Sequence, residues 1–263
     1  MALSHTPFIM IVLNTDLDNT LIYSYKHDIG VDKKCVEIYH DREISYSTDI
    51  TLNLLNTVKN KILVVPTTTR TTEQYVRINF GLGDFKYVLT CNGGVLLVDG
   101  VEDSEWYAES KQMIEESMPV MNKAYNLMEN DPRRSFELRF IRDLFLFTKS
   151  EQPEASVEYL KEHLDLSLVD VFNNGIKVYV VPKKLNKGMG VLRLKNRLNA
   201  DIILAAGDSE FDIPMIECAD YAMIPAELQN SVNVSQKIKV IPDNVLFSEG
   251  YLRKVIEITE KLN

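Results

Sequence analysis

The sequence predicts an α/β protein: a doubly wound, Rossmann-like parallel sheet with an α+β unit inserted into it. Two observations predict that class. Short, nearly continuous apolar runs end abruptly in polar or Gly-rich turns, in "FIMIVLNTD", "KILVVPTTTR", "KYVLTCNGG" and "DIILAAGDS". Such runs read as strands buried on both faces, the mark of a parallel sheet, and helical patterns alternate with them. Between the third and fourth runs the rhythm changes to αββαββ, which divides the chain into a core of residues 1–99 and 184–263 and an insert of residues 100–183.

The first run places Asp16 and Asp18 at the end of its strand. Residues 34 to 47, "KCVEIYHDREISYS", alternate as a hairpin turned at His40-Asp41, close enough in sequence to form a flap over those carboxylates. "STDITLNLLNTVKN" offers Thr48 or Asp49 as an N-cap ahead of Leu52, Leu55 and Val58 at helical spacing. After the second run, Thr71 is a capping candidate for a helix that stops at Gly81. The insert opens with one long helical stretch, "EWYAESKQMIEESMPVMNKAYNLM", followed by the strand-like segments "SFELRF" and "DLFLFTK". A second helix, "PEASVEYLKEHL", leads to "SLVDVF" and "IKVYVVP", turned by "NNG". The core resumes near Lys184 with a helix carrying Val191, Leu194 and Leu198, and the last helix aligns Tyr251, Val255, Ile258 and Leu262 on one stripe.

A chain of 263 residues is long enough for one large domain or two moderate ones, and it buries a sizeable core. With 45% hydrophobic and 25% charged residues it has the composition of an ordinary globular protein. A formal net charge of -9 argues against general nucleic-acid binding, which needs clustered Lys and Arg. Cys35, Cys91 and Cys218 are widely spaced and odd in number, which suits neither a disulfide framework nor a zinc site and points to a reducing compartment. "FIMIVL" is too short to span a bilayer and "MALSHTP" lacks the positive charge of a secretory signal, so a cytoplasmic protein without a membrane partner is expected. Nothing in the sequence specifies an oligomer.

In a doubly wound sheet, ligands bind beyond the carboxyl ends of the strands, and polar signals stand at those ends here. The first is Asp16-Leu17-Asp18-Asn19-Thr20; alone it also reads as an Asx turn capping a helix. A calcium loop is rejected, because position six holds Leu21 rather than Gly and position twelve holds His27 rather than Glu. The second is "PTTTR", with Thr67 to Thr69 and Arg70, which also suits a turn before a helix cap. The third is Lys187 at a helix start, where the macrodipole disfavours a cation unless an anion joins it. The fourth is Gly207-Asp208-Ser209 with Asp212. Carboxylates converging from the first and fourth signals repel by roughly 4 kcal/mol per pair at ~4 Å and an effective dielectric of ~20. Such a cluster calls for a cation or a shared proton. All-oxygen ligands without His or Cys fit Mg²⁺ better than zinc.

Together and in this order, the four signals resemble the motifs of the haloacid dehalogenase (HAD) phosphatase superfamily. Asp16-x-Asp18-x-Thr20 resembles motif one, Thr68 motif two, Lys187 motif three, and Gly207-Asp208-Ser209-x-x-Asp212 motif four. The insert between motifs two and three resembles the large cap of the Cof-type, sucrose-phosphatase-like branch, as does "CNGG" (Cys91 to Gly94) just before it. Two features depart from that branch. Thr69 stands where it commonly has Gly, and the hairpin at 34–47 is longer than its usual segment after motif one.

The resemblance implies a Mg²⁺-dependent phosphomonoesterase acting on a small phosphorylated metabolite, with a sugar phosphate the expected class. Asp16 would be the nucleophile and Asp18 the general acid and base, with Thr68 and Lys187 completing the catalytic set. Mg²⁺ would be held by Asp16, Asp18 through its backbone carbonyl, Asp208 and Asp212, while Asn92 and Arg70 are candidates for substrate contact. Thr20 is expected to buttress the motif-one turn. In the cap, Arg133, Arg134, Arg139, Arg142 and Lys177 are candidate anion contacts, whereas Phe136, Phe140, Phe145 and Phe147 are expected in the cap core. A phosphomutase of the same superfamily and a non-catalytic phospho-switch share part of this constellation. The general-acid carboxylate and the large cap count against the switch.

Overall fold

The first apolar run forms strand β1 (Ile11–Thr15), and all of it is buried, as an interior strand requires. The computed structural model describes residues 9–233 and 235–262; "MALSHTP", the segment without the positive charge of a secretory signal, lies outside the described residues. After β1 come the short strand β2 (Tyr23–Ser24), the hairpin strands β3 (Lys33–Tyr39) and β4 (Arg42–Thr48), helix α1 (Asp49–Lys59), strand β5 (Leu63–Pro66) and a one-turn helix α2 (Thr72–Tyr75). Strands β6 (Tyr87–Thr90), β7 (Val95–Val98) and β8 (Val101–Glu102) precede helices α3 (Ser104–Met113) and α4 (Met118–Glu129). Then follow β9 (Arg139–Ile141), β10 (Phe145–Lys149), α5 (Pro153–His163), β11 (Val169–Asn174) and β12 (Lys177–Pro182). The last part comprises α6 (Lys187–Leu198), β13 (Ile202–Ala206), α7 (Ile213–Cys218), β14 (Tyr221–Pro225), β15 (Ile238–Ile241) and α8 (Phe247–Leu262).

The main sheet has five parallel strands in the order β15-β14-β13-β1-β5. Successive side chains of β1 point to opposite faces, and each face meets its own helical layer. Ile11 and Leu13 join Leu52 and Leu55 of α1 with Leu252 and Val255 of α8, while Val12 joins Val191 and Leu194 of α6 with Met215 of α7. That is the doubly wound α/β core. Thr15 is in register with Pro66 on one side and Ala206 on the other, so the residues after β1, β5 and β13 leave the sheet at one edge. The third apolar run behaves differently from the expectation of a fully parallel strand. Strand β6 touches the sheet through a parallel bridge between Thr67 and Leu89, but its ladder is antiparallel with β7. The "CNGG" turn folds the chain straight back on itself there.

The insert carries a four-stranded antiparallel sheet in the order β11-β12-β10-β9. One face, with Leu146, Val178 and Val180, packs on Met121, Ala124 and Met128 of α4 and Val157 and Leu160 of α5. The long helix expected at its start is broken: α3 ends at Met113, Glu115–Ser117 form a 3₁₀ turn, and α4 restarts with Pro119 in its first turn. A proline has no N–H for the preceding turn and clashes with it, so it suits only a new start. Helix α3 packs on the core, where the Trp106 Nε1–H donates to the Gly93 carbonyl at 3.1 Å and the Arg193 guanidinium lies 3.8 Å from the Trp106 ring centre.

The helix expected from Thr71 to Gly81 also stops early. Thr71 caps α2 in a reciprocal capping box with Gln74, but Ile78 then bridges antiparallel to Glu37, and the Asn79 N–H donates to the Val36 carbonyl at 2.7 Å. Pairing with the hairpin overrides helical propensity. The hairpin turns at His40 and Asp41, both in the left-handed region, as a two-residue turn between twisted strands demands. Cys35, Cys91 and Cys218 are free thiols. Among the described residues no helix is long and apolar enough to cross a membrane.

Candidate active site

A strand that ends at Thr15 presents Asp16 directly beyond the sheet, and the Asp16 N–H continues the ladder by donating to the Ala206 carbonyl at 2.9 Å. Leu17 is buried, so the chain dips into the core before Asp18 emerges, and Asn19 takes the left-handed conformation that asparagine tolerates. The N–H groups of Leu21 and Ile22 both donate to the Leu17 carbonyl at 2.8 Å, closing the turn. Buried Thr20 donates to Asp208 Oδ1 at 3.1 Å, tying the first carboxylate loop to the last.

The Lys187 ammonium, 1% exposed, lies 2.5 Å from Asp16 Oδ1 and 2.5 Å from Asp212 Oδ1. Its place follows from α6: Asn186 caps the helix by accepting from the Met189 N–H, and Gly188 lets the turn press against α7, where a Cβ would stand 2.3 Å from the Pro214 carbonyl oxygen. Burial works against the Lys187 charge, but Asp16 and Asp212 outweigh it and hold the ammonium more firmly protonated than usual. The other oxygen of Asp212 accepts from the Asp208 N–H at 3.1 Å, the Ser209 N–H at 3.0 Å and the Ser209 hydroxyl at 2.9 Å. Gly207 is required beside it, since a Cβ there would lie 2.3 Å from Asp212 Cγ. Asp212 is therefore saturated, and its role is to hold Lys187 and the 207–209 backbone.

One carboxylate oxygen from each of Asp16, Asp208 and Asp212 lies within 4.8 Å of the others. Burial raises the proton affinity of Asp16 well above that of an ordinary carboxylate; Lys187 pulls it down while Asp212, Asp208 and Asp18 push it up. Asp208 is pushed up to about 6, first by burial and then by Asp212. This all-oxygen, mutually repelling set fits a hard divalent cation. Asp16 and Asp208 are the best placed to hold one, because the oxygens of Asp212 are already engaged.

Arg70 reaches across the cavity from the segment after β5. Its Nε and Nη2 donate to the two oxygens of Asp18, each at 2.7 Å, and its Nη1 stands 2.9 Å from Glu37 Oε1. Burial disfavours the guanidinium charge, yet Asp18 and Glu37 more than offset this. Thr68 is buried, its hydroxyl accepts from the Arg70 N–H at 3.1 Å, and the cavity wall at this point is Thr69. Asn92 does not line the cavity; its side-chain amide donates to the Leu185 carbonyl at 3.0 Å, bracing the segment that leads to Lys187.

One cavity of about 440 Å³ is floored by Asp16, Asp18, Lys187 and Asp208, walled by Thr69 and Arg70 and roofed by the insert. Of the cap cations expected there, Lys177 and Arg139 line it, Arg139 in an ion pair with Glu137, while Arg142 is paired with Glu102 at 2.8 Å and Arg133 with Asp131 at 2.7 Å. Arg134 donates to the Phe136 carbonyl at 2.9 Å. Phe140 packs with the cap core as expected, but Phe145 and Phe147 face the cavity, because the β10 face opposite Leu146 is the one turned toward the core. Sequence reasoning missed Glu37, Arg77, Tyr179 and Phe211, all of which line the cavity. Two of these had a signal: Tyr179 is two residues from Lys177 on one strand, and Phe211 lies between Asp208 and Asp212.

A family model described as haloacid dehalogenase-like hydrolase matches residues 96–233, a little over half of the chain. A phosphoglycolate phosphatase of Methanopyrus kandleri is 28% identical over 177 residues, covering 63% of this chain and 70% of that protein. One from Methanothrix thermoacetophila is 25% identical over 206 residues, covering 77% and 84%. Among solved structures, the sucrose-phosphatase of Synechocystis sp. PCC6803 in complex with sucrose and phosphate superposes with a TM-score of 0.67 at 16% identity, covering 95% of this chain and 98% of that one. Protein 0175 of Thermoplasma acidophilum gives 0.61 at 15% identity, covering 96% and 99%. At such identities the structural likeness shows the fold.

Proposed function

Because the chain belongs to the haloacid dehalogenase-like hydrolase family and is an enzyme of its phosphatase kind, we propose that it is a Mg²⁺-dependent phosphomonoesterase. Its substrate is a small phosphorylated metabolite, with a sugar phosphate the first class to test. The observation that carries this is the convergence of Asp16, Asp18, Lys187 and Asp208 on the floor of a single roofed cavity. A volume of about 440 Å³ is in the range of small-ligand sites.

Asp16 attacks phosphorus in line. Its carboxylate oxygen forms the new P–O bond as the ester P–O bond breaks, and Asp18, entering the step protonated, gives that proton to the departing alkoxide. Asp18 then takes a proton from water, the water oxygen bonds to phosphorus, the bond to Asp16 breaks, and phosphate leaves. Lys187 meets the charge on the transferring group, which is where a fixed cation helps most. Thr68 holds the loop that carries Arg70. A bound Mg²⁺ would be held by Asp16, Asp208 and the Asp18 backbone carbonyl, with Asp212 supporting them, and would screen the repulsion between nucleophile and phosphate. The insert acts as the substrate-specificity cap, its closure excluding water.

A second substrate class is favoured by one feature of the roof. Lys177 brings positive charge opposite the catalytic carboxylates, which suits a phosphate ester that also bears a carboxylate, as phosphoglycolate does. The test is phosphate release from a panel of sugar phosphates, phosphoglycolate, nucleotides and phosphorylated cofactors, with Mg²⁺ and with EDTA. The expected result is release that needs Mg²⁺ and is lost in Asp16→Asn. No release across the panel would overturn the proposal, and an isomerised sugar phosphate in place of free phosphate would mark a mutase.

A further inference from the structure

Glu37 lies in the middle of the hairpin and is the one carboxylate of that element with a fully buried side chain among the described residues. An alternating strand would send Val36 and Glu37 to opposite faces, yet both are buried. The cause is local: the β3–β4 register shifts on both sides of Glu37, and such a bulge re-aims a side chain. The carboxylate so turned inward is held by four contacts. Arg70 Nη1 stands 2.9 Å from Oε1 as an ion pair without hydrogen-bond geometry, Arg77 Nη2 3.0 Å and Arg77 Nε 3.1 Å from the same oxygen, and the Ser45 hydroxyl donates to Oε2 at 2.6 Å. The far side of the Arg70 guanidinium is the bidentate pair on Asp18.

Anchoring a hairpin does not require this arrangement. A buried ion pair contributes less to stability than well-packed apolar residues of similar volume often do, and its attested use is to specify geometry. The geometry specified here is that of Asp18. Its side chain is half exposed and is not fixed by burial, so its direction depends on the planar fork of Arg70, whose remaining terminal nitrogen faces Glu37 Oε1 at 2.9 Å.

We propose that Glu37 is a positioning residue for the reaction: through Arg70 it holds the Asp18 carboxylate at the leaving-group side of the cavity. This rests on the phosphatase function proposed above. The hairpin is then part of the catalytic apparatus although it touches no reacting atom. Mispositioning Asp18 slows ester cleavage where the leaving alkoxide needs a proton, and hardly affects an aryl ester such as p-nitrophenyl phosphate, whose leaving group departs without one.

The test compares Glu37→Gln with the wild-type chain on the best alkyl phosphate of the panel and on p-nitrophenyl phosphate, in a cycle with Arg70→Ala. The expected result is a kcat about 10- to 100-fold lower on the alkyl ester at nearly unchanged KM, with the aryl ester's rate of Asp16 phosphorylation, read as the first-turnover burst, retained within about threefold. The double variant should be no slower than Arg70→Ala alone, because the two residues act in series. Glu37→Asp, which keeps the charge, should recover part of the loss, and it carries the same comparison if Glu37→Gln does not fold. Equal losses on both esters, or losses that multiply in the double variant, would overturn the proposal. A wild-type chain inactive on every ester would instead overturn the phosphatase function itself, so the two failures are distinct.

Discussion

Phe211, on the loop between Asp208 and Asp212, meets Tyr179 of the cap sheet edge-on, with ring centres 5.0 Å apart and planes at 86°. The same ring meets Phe172 of β11 at 4.7 Å. The loop that carries an expected metal ligand is thus in direct contact with the roof over the cavity. In Phe211→Ala each lost aromatic pair is worth about 0.5–1.5 kcal/mol, which is up to about tenfold in an equilibrium. The expected outcome in steady-state kinetics is a kcat/KM several-fold to about tenfold lower, with both esters affected alike. A drop in melting temperature with unchanged kcat/KM would reduce the ring to packing.

Lys187→Met removes the cation shared by Asp16 and Asp212. Breaking a buried pair by deleting one partner costs about 3–5 kcal/mol, and the cost should be largest where Asp16, whose proton affinity burial raises, is charged. Urea denaturation without metal is therefore expected to show a larger loss at pH 8 than at pH 5, and vanadate binding to weaken. Equal stability loss at both pH values, or unchanged vanadate affinity, would remove Lys187 from the charge balance of the site.

Metal dependence of stability follows from Asp208, whose proton affinity is raised from 3.8 to about 6 in the fold. A raised value means that the folded chain prefers the protonated form. The stability this gives is complete below about 3.8 and is lost as pH rises through about 6. Bound Mg²⁺ has the opposite demand, since it needs the carboxylate. Thermal melts in EDTA should lose stability across that window, while the shift produced by Mg²⁺ should grow, reaching about 2.7 kcal/mol at a hundredfold excess over Kd. A Mg²⁺ shift that is absent or indifferent to pH would count against the carboxylate site.

The parts of the site legible in the sequence are those whose position follows from a strand end. Asp16, Asp18, Lys187 and Asp208 each follow a buried run or open a helix, and neighbouring strands in register bring such ends together without further information. The alternation of β12 likewise puts Lys177 and Tyr179 on one face. What the sequence concealed depends on pairing between distant segments. The bulge that turns Glu37 inward exists only once β3 pairs with β4, and α2 stops short because Ile78 pairs with Glu37. Strand β6 reads as another parallel strand because its buried run is indistinguishable from the others; only the turn at Cys91 to Gly94 sends it back along β7. The break between α3 and α4 was marked by Pro119, and helical spacing on either side of it masked the signal.

The most direct test of the account is to trap the intermediate on Asp16. In Asp18→Asn, p-nitrophenyl phosphate can still transfer its phosphoryl group, because its leaving group needs no proton, while hydrolysis stalls for want of a base. After acid quench, peptide mass spectrometry is predicted to find one phosphoryl group on Asp16, and none when Asp16 is also changed to Asn. A phosphoryl group on another residue, or none anywhere while p-nitrophenol is released, would contradict the assignment of Asp16 as the nucleophile.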